Sequence, residues 1–230
     1  MDKNTASVYI LDSTVTGKPF LTEDRESHIF FRTQDAETFL QEYQNTRLSG
    51  PYETDVEHLM ERLYASGTEE LIFHDKEETA NRKIDKNCLS KTYPYNAELN
   101  AAICLLKQTK QKKYLEKIGL SDLYMVAGVR ETPEIRIVYG TARMTEIPDD
   151  YWYVVFSDIA EYNVWKSGGM KWNAIRRSFS EVYGICRGHG LMINPCGNRL
   201  ALSPELLESI PRPRNISDAD KQSEEQKKLS

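Results

Sequence analysis

The sequence predicts an α+β protein, a mixed sheet flanked by helices and built from two pseudo-duplicated β-α-α-β units. Three observations predict it. Apolar runs of strand length alternate with amphipathic helical stripes. The pattern around residues 29–74 has an echo around residues 154–194. A chain of 230 residues with 40% hydrophobic content can also bury a substantial core. The expected organisation is a first α/β half over 1–75, a charged connector and helical hairpin over 76–120, a second half over 121–211, and a disordered tail over 212–230.

In chain order, Val8-Tyr9-Ile10-Leu11, Pro19-Phe20-Leu21 and His28-Ile29-Phe30-Phe31 read as short strands. Thr33 opens a helix with Ala36, Phe39, Leu40 and Tyr43 on one face, the spacing of a helix packed on a sheet. Residues 44–51 read as a loop. Thr54 and Glu57 have capping-box spacing for a helix carrying Val56, Leu59, Met60, Leu63 and Tyr64, which Gly67 ends. Leu71-Ile72-Phe73 is a buried strand. Residues 75–91 are polar enough to be an exposed connector. Two helices follow, one with Leu99, Ala102, Ile103 and Leu106, the other with Tyr114, Leu115 and Ile118 before Gly119. The lysines crowding this pair read as a solvated face.

Runs at 123–129, 135–139 and 151–156 are strand-like, divided by segments containing Pro133 and Pro148. Residues 158–165 form a short helix, broken by Gly168-Gly169. Trp172, Ile175, Phe179, Val182, Tyr183 and Cys186 then fall at spacings of three and four, which predicts a four-turn helix. Leu191-Met192-Ile193 is a buried strand entering the turn Asn194-Pro195-Cys196-Gly197, and Leu200-Ala201-Leu202 is its return. Ser203, Pro204 and Glu205 suit the N-cap and first turn of a helix that Pro211 stops.

Composition narrows the function classes. No apolar stretch is long enough to span a membrane, and Met1-Asp2-Lys3-Asn4 lacks the layout of a signal peptide, so a cytoplasmic location is expected. The four cysteines are widely spread, which fits reduced thiols. A net charge of −5 and a pI near 5.5 point away from nucleic acid.

The two halves align over Ile29-Phe30-Phe31 with Val154-Val155-Phe156, and over Leu71-Ile72-Phe73-His74 with Leu191-Met192-Ile193-Asn194. In the second half, Tyr153-Val154-Val155-Phe156 precedes an acidic helix start, and Gly190-Leu191-Met192-Ile193-Asn194-Pro195-Cys196-Gly197 precedes Leu200-Ala201-Leu202-Ser203. On these residues the stretch 151–210 resembles the N-terminal domain of the SseB family, the enhanced-serine-sensitivity proteins of bacteria. The resemblance implies an α/β module of bacterial origin and carries no chemistry to any residue. The helical insert at 95–119 and the doubled unit depart from that domain.

No catalytic constellation emerges. His189 and Cys196 lie at opposite ends of a strand, roughly 20 Å apart at the rise of an extended chain, too far to share a proton. Cys186, His189 and Cys196 supply three candidate metal ligands where a structural zinc needs four. His28, His58 and His74 are isolated. The motifs GxxxxGK[ST], GxGxxG and GxSxG are absent, and Gly168-Gly169 reads as a breaker. Neither a metal nor a cofactor is expected. The binding candidates are Trp152, Trp165, Trp172, Arg176, His189 and Asn194. Tryptophans favour partly buried places, and Tyr151-Trp152-Tyr153 alternates faces, so one large ring should point away from the core. The expected function is a non-catalytic binding or regulatory module acting on a protein partner. The alternative is a small-molecule enzyme whose acid and base residues come together only in the fold.

Overall fold

The computed structural model describes residues 7–52, 56–76, 78–131, 135–143, 151–165 and 172–212. Thr54, Asp55, Pro133, Pro148, Gly168-Gly169 and the expected tail from 213 onward lie outside them. The fold is α+β.

The first half runs β1 (Val8–Ser13), β2 (Glu26–Phe30), α1 (Thr33–Glu42), β3 (Thr46–Tyr52), α2 (Val56–Ser66), β4 (Glu70–Asp75), β5 (Glu78–Lys83) and α3 (Lys86–Thr92). Its five strands form one sheet in the order β3-β1-β2-β4-β5. Strand β1 is antiparallel to β2 and β3, β2 is parallel to β4, and β5 is antiparallel to β4. Strand alternation sends Leu11 and Phe30 to the face covered by Ala36 and Phe39 of α1. Ile10, Ile29 and Leu71 go to the opposite face, against Leu59 and Leu63 of α2. The expected loop at 44–51 is largely strand β3, and the expected connector is β5 and α3. Proline and polar residues suit a sheet edge, where only one ladder must be filled. Every residue of β5 is exposed, and α3 starts at Asp85, whose carboxylate accepts from the amides of Asn87 and Cys88. Pro19-Phe20-Leu21 makes only a single bridge, Pro19 to Asp12.

The hairpin α4 (Ala97–Thr109) and α5 (Lys113–Gly119) leads to the second half. That half comprises β6 (Asp122–Glu131), β7 (Ile135–Tyr139), β8 (Thr141–Arg143), β9 (Tyr151–Phe156), α6 (Ile159–Trp165), β10 (Asn173–Ser178), α7 (Phe179–Cys186), β11 (Gly190–Ile193), β12 (Leu200–Leu202) and α8 (Pro204–Ser209). Its sheet has the order β10-β6-β9-β11-β12, with β7 on β6 and β8 on β9. The four-turn helix expected from Trp172 is instead strand β10 followed by α7. Six residues of β10 pair with Asp122–Ala127 of β6. Ser178 and Glu181 then form a capping box that starts α7, so the helical spacing across that boundary is coincidental.

With β7 and β8 set aside, the two sheets have the same strand order and the same pairing senses. The pairs Tyr9–Phe30 and Ile10–Ile29 correspond to Tyr124–Phe156 and Met125–Val155. Phe156 therefore matches Phe30, which faces α1, rather than Phe31 as the sequence alignment has it. A slip of one residue turns every side chain to the other face.

Helix α4 joins the halves. Leu99 and Ile103 enter the core of the second half with Leu123, Val155 and Leu191. On its other side, Gly67, at φ +93°, meets the Ala97 carbonyl and the Ala101 methyl so closely that a β-carbon there would overlap both. The Arg25 Nε donates to the Gly67 carbonyl at 2.8 Å, and the guanidinium pairs with Glu69 and Glu98. Asp158 of the second half accepts from the Asn96 amide at 3.2 Å and from Asn100 Nδ2 at 3.1 Å. Among the described residues no helix is long and apolar enough to cross a membrane.

Candidate functional site

The six residues singled out in the sequence do not form one surface. Trp152 lies over Gly190, whose missing β-carbon leaves room for the indole. Trp172 packs on Gly128 in the same way, and its carbonyl accepts from the Tyr162 hydroxyl at 2.7 Å. The Trp165 ring lies 5.6 Å from Phe156. All three indoles are half-buried, and Trp165 and Trp172 belong to the apolar cluster of Val126, Val154, Phe156 and Tyr162. Strand alternation puts His189 against the other face, stacked 4.3 Å from Tyr151 and bonded to its hydroxyl at 3.2 Å. Arg176 is exposed and paired with Asp122 at 2.8 Å. Asn194 is fully buried, at φ +52°, accepting from the Ser157 amide and donating to its hydroxyl, both at 2.9 Å. It locks the turn after β11.

The cysteines are equally divided. Cys104 and Cys186 are buried, and burial pushes both thiols up to about 12. Cys88 and Cys196 are exposed and far apart in the chain. Among the described residues no group of three His, Cys, Asp or Glu is placed to hold a metal ion.

Two concavities carry more chemistry than the indoles. One is a cleft of about 340 Å³ where α2 of the first half faces α6 and the β11–β12 turn of the second. Its walls include Lys18, His58, Glu61, Arg62, Tyr95 and Glu161. Arg62 donates to both oxygens of the buried Asp12 at 3.0 Å and also reaches the Tyr52 hydroxyl. The Tyr95 hydroxyl donates to Glu61 at 2.8 Å; burial and that carboxylate hold the phenol well above its ordinary range. Glu161 is 8% exposed, and burial raises its carboxyl, against the opposing pull of Lys18 at 4.0 Å.

The other is an apolar groove of about 500 Å³ in the first half, on the face covered by α2. Ile29, Leu59 and Leu71 form its buried floor, Phe31 and Phe73 one wall, and Cys88 and Leu89 of α3 another. Phe31 is 37% exposed and stacks on Phe73 at 6.3 Å. Arg82 and Lys83 stand exposed at the rim. The matching face of the second half is filled. There the cluster that joins α7 and α8 to β6, β9 and β11 also contains Leu99 and Ile103 of α4 and Leu115 and Ile118 of α5.

The fold and these features define an α+β protein of two like-ordered sheets, with a polar cleft between its halves and an apolar groove on one of them. No protein-family model matches the chain, and no curated protein matches it either. Among solved structures it is similar to Anabaena Tic22 (protein transport), at 14% identity over 91% of this chain and 95% of that one, with a TM-score of 0.22. A likeness at that level transfers neither a fold nor a role.

Proposed function

We propose that the protein is a non-catalytic binding module whose first half takes an amphipathic helix of a protein partner into the apolar groove. One observation carries the reading: equivalent faces of the two sheets are covered unequally. The second half seals its face with α4 and α5, whose Leu115 and Ile118 lie one helical turn apart. The first half leaves Phe31 and Phe73 facing an open groove. An apolar face on a helix is the chemistry that fills such a groove. The Asp85 carboxylate is engaged as the cap of α3, so Arg82 and Lys83 favour a helix with acidic flanks. The like order of the sheets supports reading the halves as a duplicated unit, and the SseB-like reading of residues 151–210 belongs to the same proposal.

The test is fluorescence anisotropy with a labelled four-turn peptide carrying Leu at i, i+3, i+4 and i+7 and Glu on its flanks. The expected dissociation constant is on the order of 10 μM. Phe31→Glu puts a charge in the groove at a half-exposed position, where surface substitutions shift stability by only about 0.5 kcal/mol. It should weaken binding at least about tenfold with an unchanged melting temperature. Equal binding by both proteins, or none by the wild type, would sink the proposal.

A further inference from the structure

The cleft between the halves has chemistry the helix-binding reading does not use. Glu161 is its centre. The carboxylate is nine-tenths buried yet accepts no hydrogen bond from the described residues; its nearest cation is Lys18 Nζ at 4.0 Å, beyond hydrogen-bond reach. A buried carboxylate left in that state is costly unless something else satisfies it. Its neighbours are committed elsewhere. Arg62 is held by Asp12, Tyr95 donates to Glu61, and Asp158 beneath it accepts from Asn96, Asn100, the Ser157 hydroxyl and the Glu161 amide. The cleft lining sets the carboxylates of Glu61 and Glu161 against Lys18 and Arg62, with His58 beside them, and Asp12 behind Arg62 and Asp158 behind Glu161 add two negative charges outside the lining. The surplus is negative. Gly197 keeps the space open, because a β-carbon there would overlap both oxygens of Glu161.

We propose that this cleft is a binding site for a primary ammonium group, which donates to the Glu161 carboxylate with Glu61 as the second acceptor. An ammonium supplies both missing elements, a hydrogen-bond donor and a positive charge. Lys18, whose side chain is 35% exposed, swings to solvent as the ligand enters. The raised pKa of Glu161 has a consequence for pH. Its carboxylate form, which the ligand needs, is lost at a higher pH than for an ordinary glutamate, and binding falls with it.

The experiment is isothermal titration of the full chain at pH 8 with 1,4-diaminobutane as the probe. Tetramethylammonium serves as a cation without donors, and Nα-acetyl-lysine methylamide as a lysine side chain. Saturable binding of the diamine or the lysine derivative, with none of tetramethylammonium, is expected, and the tighter of the two tells a free amine from a polypeptide. Glu161→Gln should weaken binding about tenfold or more while leaving the fold intact, since it removes a buried charge. Gly197→Ala, which pushes the carboxylate aside, should do the same. Equal affinity in Glu161→Gln, equal binding of tetramethylammonium, or no saturable binding by the wild type would overturn the site.

Discussion

His28 and His74 sit on neighbouring parallel strands with Nδ1 of the first 2.9 Å from Nε2 of the second, inside a box of Phe30, Phe39 and Tyr43. Burial, helped by the neighbouring imidazole, pushes His28 down to about 4. Its unfolded value is near 6.5, so between those limits the unfolded chain holds a proton that the native state refuses. Stability is complete above about pH 6.5 and is lost as pH falls toward about 4, by on the order of 3 kcal/mol. Urea titrations at stepped pH should show that slope in the wild type and a flatter one in His28→Leu; identical slopes would refute the assignment. The site is hardest to read at this scale. Glu161 is one of 35 acidic residues, and no spacing marks it, because its burial depends on Gly197 and on a half of the chain remote in sequence. Asn194 was legible as a motif, but its side chain turns inward to Ser157.

At the scale of elements, every apolar strand run inside a sheet was readable, from Val8–Ser13 to Gly190–Ile193. Strands β3, β5, β8 and β10 were not, and among the described residues each pairs with a single neighbour. An edge strand fills one ladder and wets its other side, so its residues need neither an apolar run nor strict alternation. In β10, residues Asn173 and Arg176 are exposed, and only Ile175 and the flanking Trp172 gave periodicity something to fit. The overlooked signal was Ser178 with Glu181, a capping box that dates the helix from Phe179. Ser178→Ala removes the acceptor for the Glu181 amide. It should cost about 1 kcal/mol, read as a lower urea midpoint at unchanged slope. No change would mean that β10 pairing alone sets the start of α7.

At the scale of the whole molecule, the echo between β2 and β9 and between β4 and β11 was legible, one residue out of register at the first pair and in register at the second, where Phe73 and Ile193 partner Ile29 and Val155. How the first half meets α4 was not, because that contact sets small and polar groups beside the apolar cluster of Leu21, Ala101 and Leu105 and follows no single period. Arg25 is the clearest of these, a buried guanidinium joining the Gly67 carbonyl to Glu69 and Glu98. Arg25→Met leaves that carbonyl without its side-chain donor and should cost roughly 2 to 3 kcal/mol. Amide exchange should quicken at both ends of the contact, in α2 and α4; a loss confined to the Arg25 loop would contradict a shared joint. The seat of Gly67 on Ala97 and Ala101 has a mechanical side as well. Backbones meeting at that distance leave no slack for a hinge, and the ion pairs beside them resist sliding. The contact pins the end of α2 to the first turn of α4, a seam with no room for a side chain.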